Sequence, residues 1–317
     1  MADVVEIVCY PIKGCAGTST SDALLTPAGL THDRSFMVIS EDGVYRTQRR
    51  HPRLALIRPT VSADSSRLTL DATDATGRYG TVHLSITTSA PRRDVDLFGA
   101  TFQGIDQGDE AAAWLSDVLS TPSRLVRVPP EHDRVADGLT PGPSGYADSS
   151  AVHLLSRSSL ALLNRRMAER GSPPLPMNRF RPNIVVDSGP GQDLDRDCGD
   201  WAAIPHAEDC ARGIRIGGAE LGFAKLAVRC AVTLVDQEAG ARQGPEPPHA
   251  GKLPARGERR CGVRREVLRR AAGQAVRRRR GGRQGMGRGR TVRSPTAPSS
   301  AAGVSCLHPV GARRPGP

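Results

Sequence analysis

Cys230 stands in the run Val228-Arg229-Cys230-Ala231-Val232-Thr233-Leu234-Val235-Asp236, which is rich in β-branched and apolar residues. A thiolate there is a soft metal ligand, and the metal in turn keeps the thiol deprotonated. Read alone, the same cysteine is a small hydrophobe buried in a strand. Asp236 either supports that site from behind or simply opens the turn Asp236-Gln237-Glu238-Ala239-Gly240. Upstream, Asn178-Arg179-Phe180-Arg181-Pro182-Asn183 places two arginines two apart, so an extended segment shows both on one face. A planar guanidinium grips phosphate through paired hydrogen bonds. Pro182 removes a backbone donor, which suits a loop or edge, and Asn183 offers both a donor and an acceptor. The competing reading is a solvated pair of arginines ahead of a core strand. Ser156 is either a ligand or the cap of the helix that follows it.

Other chemistries find little support. There is no GxGxxG, P-loop or HExxH motif. Gly142-Pro143-Ser144-Gly145 has turn residues on its flanks instead of the strand and helix of a nucleophile elbow. His206 and Cys210 have helical spacing, but Pro205 and the lack of further ligands argue against a metal there. The seven cysteines are odd in number, scattered and without a CxxC pair, so they read as reduced thiols. No apolar run reaches the roughly 18–20 residues of a membrane span, and the start lacks a secretory pattern. A soluble cytoplasmic protein is expected.

These residues must be held by short strands. Residues 4–10, 35–40, 54–59 and 67–70 read as strands, as do 184–186, 214–216, 220–223, 224–228 and 232–235. Gly and Pro punctuate them at spacings typical of β-barrels or sandwiches. Asp109–Leu119 reads as a helix with acids in its first turn and Trp114, Val118 and Leu119 on its apolar face. A second helix follows Ser156, with Leu160, Leu163 and Met167 as its stripe and Gly171 as its stop. The expected fold is mainly β with a few helices (α+β), in two parts joined near residues 125–145.

Composition divides the chain once more. The 317 residues carry a net charge of +11 and only 3% aromatics. Residues 247–317 hold 18 Lys and Arg against 2 Asp and Glu, whereas residues 1–246 hold 26 against 31. Every Trp, Tyr and Phe precedes residue 247. The body is therefore mildly acidic, and the basic excess belongs to the last segment alone.

Four segments in order resemble one family. They are Tyr10-Pro11-Ile12-Lys13-Gly14 with Gly29-Leu30-Thr31-His32-Asp33-Arg34-Ser35-Phe36, then Thr47-Gln48-Arg49-Arg50-His51-Pro52-Arg53-Leu54, then residues 178–186, then residues 228–236. Their order and spacing resemble a MOSC-domain protein with its N-terminal β-barrel domain, the class of the molybdenum cofactor sulfurase C-terminal domain and the amidoxime-reducing component. The resemblance implies an N-terminal β-barrel-like domain (1–125) and a MOSC β-barrel domain (126–246) with the molybdenum cofactor, Mo-molybdopterin, between them. It implies Cys230 as catalytic residue and molybdenum ligand, and Lys13, Arg34, Arg179, Arg181, Asn183, Ser156 and Asp236 as candidate cofactor contacts. It implies reduction of N-hydroxylated small molecules with electrons from a separate redox protein. A cofactor carrier or sulfur-transfer protein is the alternative, and pyridoxal phosphate is associated with the family more widely. Two positions depart from the pattern: Gly14 replaces a hydroxyl residue, and no cysteine shortly precedes Cys230.

After Glu246 the family pattern stops. Read one base later, GC-rich codons permit LRTLASYR from Pro247 and GVAFGVKFSVVRPGKLSVGDEVDVKEWGE from Arg260, both compatible with the family's closing segment. Met286-Gly287 forces a Trp codon in that reading, and Cys261-Gly262 permits only Val or Ala. Residues 247–317 are thus expected to be a frameshifted, disordered or misfolded tail, leaving the MOSC domain incomplete and the activity of this chain weak or absent. The rival is an Arg/Gly-rich arm binding nucleic acid through phosphates, although it has no aromatics to stack on bases.

Overall fold

A computed structural model describes residues 2–72, 78–188, 201–228 and 230–243, and the backbone of 263–270, 274–277 and 303–307. The chain is mostly strand, with two α-helices among these residues, α1 (Asp109–Leu119) and α2 (Arg157–Ala168). The largest element is an eight-stranded sheet in the order Ile184–Ser188, Val152–Ser156, Val263–Arg270, Ala219–Ala227, Gly213–Ile216, Gly303–Leu307, Ala2–Cys9 and Thr18–Thr20. Ala2–Cys9 also pairs with Ile184–Ser188, which closes the sheet on itself as a barrel. Its interior holds Val4, Ile7, Leu154, Ile184, Ile214 and Leu221, all 0% exposed. Val152–Ser156 and Ile184–Ser188 are parallel, with α2 in the connection between them.

The first strand of the chain therefore lies in the second barrel. The chain crosses at Tyr10 and Pro11, and Ile12–Lys13 already pairs with Phe36–Ile39 in the N-terminal part. That part has a five-stranded sheet (Arg92–Leu97, Ala100–Asp106, Arg124–Arg127, Phe36–Ile39, Ile12–Lys13) and a three-stranded one (Ile57–Val61, Arg67–Ala72, Thr81–Ser85). They share a core with α1 through Ile12, Phe36, Leu54, Leu70, Leu115 and Val118.

Both helices match the sequence expectation. Ser156 caps α2, its side chain accepting from Ser159 N, and Gly171 follows at φ +71°. The face that α1 buries is Ala111, Ala112, Leu115, Val118 and Leu119, and Trp114 packs against the same core while its indole N–H donates to Tyr79 O at 3.0 Å. Two expected strands are different. Residues 54–59 begin inside a 3₁₀ turn, Pro52–Leu56, because Pro52 sets its first φ, and only then extend. Residues 232–235 lie mostly in a 3₁₀ turn, Ala231–Leu234, where Thr233 N and Oγ1 both return to Cys230 O at 3.2 Å. The expected pair 220–223 and 224–228 is one strand, Ala219–Ala227.

Strands also occur beyond Glu246, where the sequence pattern stops. Val263–Arg270 pairs with both Val152–Ser156 and Ala219–Ala227, Gln274–Arg277 pairs with Asp22–Thr26, and Gly303–Leu307 pairs with Gly213–Ile216. Val152–Ser156, Ala219–Ala227 and Gly213–Ile216, which an incomplete MOSC domain would leave without a neighbour here, thus have one. Backbone pairing needs only an extended chain, and any non-proline residue supplies it. No helix among the described residues is long and apolar enough to cross a membrane.

Candidate functional site

The crossing at Tyr10 fixes where the two parts meet, and a cavity of about 540 Å³ opens there. Lys13, Arg34, Arg179, Arg181, Asn183 and Cys230 all line it. Ser156 and Asp236 do not.

The joint is made by Asp33 and Asn183. Asp33 Oδ1 accepts from Tyr10 N and from Asn183 Nδ2, both at 2.9 Å. Asn183 Nδ2 also donates to Val8 O at 3.1 Å, while its Oδ1 accepts from Arg34 Nη1 at 2.8 Å and His153 N at 3.1 Å. Its donors and acceptor are thus occupied by protein, and it ties the two barrels together at the cavity wall. Arg34 is similarly engaged, with Asp33 paired to Nη1 and Arg181 O accepting from Nη2 at 3.3 Å. Burial opposes the charge of Arg34, but Asp33 outweighs it and raises its pKa.

Arg181 is the opposite case. Both terminal nitrogens of its guanidinium are buried and have no hydrogen-bond partner. Its carbon lies 4.2 Å from the centre of the Tyr10 ring, over which Arg34 also stacks at 4.5 Å. Burial pulls Arg181 below its ordinary pKa, and the positive Arg34 adds to this. Burial likewise pushes the Tyr10 phenol up to about 12. Arg181 is held at φ +55° and Arg34 at φ +48°, backbone positions that cost a residue with a Cβ roughly 1–2 kcal/mol. Arg181 O is pinned there by His153 Nδ1 at 3.2 Å as well as by Arg34.

Three hydroxyls lining the same cavity share this state. Thr47 Oγ1, Ser149 Oγ and Ser150 Oγ are buried without partners. Donors left unpaired away from water cost about 1–3 kcal/mol each, so a cation with three such hydroxyls is built for an anionic ligand. Sequence reasoning missed all three. Thr47 opens one of the four recognised segments, but nothing local marks Ser149 and Ser150 as different from other serines.

Lys13 Nζ donates to Tyr146 O at 2.9 Å and pairs with Asp148, below the faces of Phe98 and Tyr45 at 4.8 and 5.5 Å. Arg179 reaches the cavity, yet its guanidinium points to the Cys230 turn. Nη2 donates to Asp236 Oδ2 and Gln243 Oε1, both at 2.8 Å, and Nη1 donates to Thr233 O at 3.3 Å. Arg179 therefore positions the turn while also lining the cavity. Asp236 both opens the turn, accepting from Glu238 N and Ala239 N at 2.9 Å, and clamps Arg179. Those backbone donors, with Arg179 and Gln243 behind them, hold its carboxyl below the usual range. Next to it, the side-chain amides of Gln237 and Gln48 bond reciprocally at 3.0 and 3.1 Å, and Gln48 donates to Gly14 O at 2.7 Å. The turn is thereby docked on the N-terminal part. Cys230 itself is exposed and free at the cavity wall.

Ser156 stands apart from the cavity lining and has its own hydrogen-bond partners. It is 0% exposed, and its hydroxyl donates to the buried carboxylate of Glu208, whose Oε1 also accepts from Ser159 Oγ at 2.7 Å. Ser156→Ala removes a helix cap and one donor of this cluster. It is expected to lower stability by about 1–2 kcal/mol, read as a shifted urea midpoint.

Residues 1–122 match the family described as MOSC N-terminal beta barrel domain, and residues 141–277 match the MOSC domain. Mitochondrial amidoxime-reducing component 1 of Mus musculus is 34% identical over 257 residues, covering 77% of this chain and 68% of that protein. Mitochondrial amidoxime reducing component 2 of Rattus norvegicus is 32% identical over 77% of this chain and 70% of its own length. Molybdenum cofactor sulfurase of Danio rerio is 28% identical over 75% of this chain but only 29% of its own length.

Proposed function

We propose, for a chain that belongs to the MOSC family and carries the family's N-terminal β-barrel domain as well, a molybdenum-cofactor oxidoreductase acting on N-hydroxylated small molecules. The observation that carries the reading is the buried, unpartnered Arg181 guanidinium with the unpartnered Thr47, Ser149 and Ser150 hydroxyls, lining one cavity with an exposed thiol. This donor set fits the cofactor: a cation and hydroxyls for its phosphate, and a soft sulfur for its metal.

The cofactor, when bound, supplies the two-electron chemistry at molybdenum. The protein does the rest. Cys230 is the thiolate ligand, and Arg179, Asp236 and Gln243 keep its turn in place. Arg181 and the three hydroxyls hold the anionic end, and Lys13 and Arg34 add positive charge at the joint of the two barrels. Substrate reduction cleaves the N–O bond with two electrons and two protons, giving an N–H group and water. The sequence has no ferredoxin-like cysteine cluster, so the electrons come from a separate redox protein.

The test is molybdenum and pterin content of the purified chain beside Arg181→Ala. Losing one charged partner of a buried phosphate is expected to weaken binding about 10²-fold or more, so the variant should purify nearly free of both. Equal content in the two proteins, or none in either with the frame after Glu246 restored, would sink the reading. A chain that holds molybdenum but does not reduce an N-hydroxylated compound with a supplied donor would be a cofactor carrier or sulfur-transfer protein.

A further inference from the structure

The hairpin formed by Arg92–Leu97 and Ala100–Asp106 closes through a two-residue turn, Phe98-Gly99, with Leu97 opposite Ala100. Both turn residues have positive φ, +61° and +82°. Such a turn is ordinarily Asn-Gly, Asp-Gly or Gly-Gly, because those residues enter the left-handed region at little cost. A phenylalanine there is a strained local choice, of the kind that persists where a side chain is needed at that place. Its ring does not fill a core, since Phe98 is 50% exposed. It meets Tyr45 edge to face, at 5.1 Å between centroids and 61°, and both rings line the cavity.

The cavity lining carries both polar and apolar surface, and Lys13 Nζ lies over the Phe98 and Tyr45 rings. Arg181, Ser149, Ser150 and Thr47 contribute buried polar atoms. Tyr45 and Phe98 from the N-terminal part, and Leu226 and Val228 from the second barrel, contribute apolar surface. Phe98, Leu226 and Val228 are also among the exposed large hydrophobic residues of the described chain, at 50, 38 and 80%. Exposed apolar groups gathered around one opening mark a place where an apolar ligand surface is buried. The polar groups serve the cofactor's anionic end, which leaves the apolar ones for a different part of the bound assembly.

We propose that Phe98, with Tyr45, Leu226 and Val228, forms the specificity slot for the substrate, selecting compounds whose N-hydroxylated carbon bears an aryl or similarly flat apolar group. This rests on the reductase reading above. The slot places that group against the rings and leaves the N–O end toward the thiol-bearing wall. Phe98 is a binding residue and takes no part in bond cleavage.

The experiment compares Phe98→Asn and Phe98→Trp with the parent full-length chain. Each is assayed on benzamidoxime and on acetamidoxime with a supplied electron donor, and each is titrated with benzamide, which has no N–O bond, by saturation-transfer NMR. Asn suits the turn, so Phe98→Asn should melt no lower than the parent. Its benzamidoxime-to-acetamidoxime ratio of kcat/KM should fall about tenfold, the scale of one aromatic contact, and benzamide binding should weaken in parallel. Phe98→Trp should retain both. An unchanged ratio in Phe98→Asn, an equal loss on the two amidoximes, or undiminished benzamide binding would overturn the slot. Benzamide binding that depends on Phe98, in a chain that reduces neither amidoxime even with the frame after Glu246 shifted by one base, would remove the reductase reading and leave the slot standing.

Discussion

Cys230→Ala is expected to purify with less than a tenth of the parent's molybdenum and with no measurable reduction of an N-hydroxylated substrate, while its cofactor-free form melts within about 1 °C of the cofactor-free parent. Among the described residues, Cys230 is the one cysteine that lines the cavity, and removing a metal's protein ligand removes binding energy that the alanine methyl cannot supply. The melting temperature should hold, because an exposed side chain away from caps and networks contributes within about 0.5 kcal/mol. The turn is fixed by other atoms, namely Cys230 O with Thr233 and the Arg179–Asp236 pair. Cys210→Ala is the control: that thiol is also exposed and free but does not line the cavity, so its loss should leave the molybdenum content intact. Parallel loss in both variants would point to general damage. Full metal content in Cys230→Ala would remove Cys230 from the site.

Shifting the reading frame by one base after about Glu246 is expected to raise the melting temperature by roughly 10 °C or more and to increase bound molybdenum several-fold. Val263–Arg270 sits between Val152–Ser156, every residue of which is buried, and Ala219–Ala227. A barrel strand in that place needs one alternate set of apolar residues. Neither set qualifies here: Val263, Arg265, Val267 and Arg269 make one, Arg264, Glu266, Leu268 and Arg270 the other. The shifted reading, FGVKFSVV, alternates phenylalanine and valine with smaller or polar letters. Burying even two or three such side chains stabilises by about 1.5–3 kcal/mol each, and about 1 kcal/mol moves the midpoint of a 150–250-residue domain by roughly 2–4 °C. A shifted chain that melts no higher and holds no more metal would show that the encoded strand is the native one. Resequencing the coding DNA is the companion measurement.

The two helices were legible because their signals are local. Ser156 two residues from Ser158 and ahead of Leu160, Leu163 and Met167 announces a capped amphipathic segment, and the structure starts α2 at Arg157. α1 runs from Asp109 to Leu119 as its acids and apolar residues predict. The strand expectation failed at residues 232–235, where β-branched residues speak for extension but Thr233 folds back on Cys230. Propensity there gave way to the backbone and side-chain hydrogen bonds of Thr233 to Cys230 O.

The cavity was partly legible. By its motif, the sequence alone marked Cys230 and Arg181 as residues of one site, and both line the same cavity. Residue type and short-range spacing carry that much, since a thiol, a guanidinium and their neighbours have fixed chemical aptitudes. What each side chain is free to do was decided only by tertiary structure. Asn183 and Arg179 have the same kind of aptitude for a ligand as Arg181, but Asn183 is saturated by Asp33, Arg34, Val8 and His153, and Arg179 is engaged by Asp236, Gln243 and Thr233. Arg181 is left unpaired with Thr47, Ser149 and Ser150. The Arg34–Asn183 contact joins residues 149 apart in sequence and Gln48–Gln237 joins residues 189 apart, separations over which no periodicity carries information. A side chain's chemistry is a property of the residue, but its availability depends on which partners the fold brings within hydrogen-bonding distance.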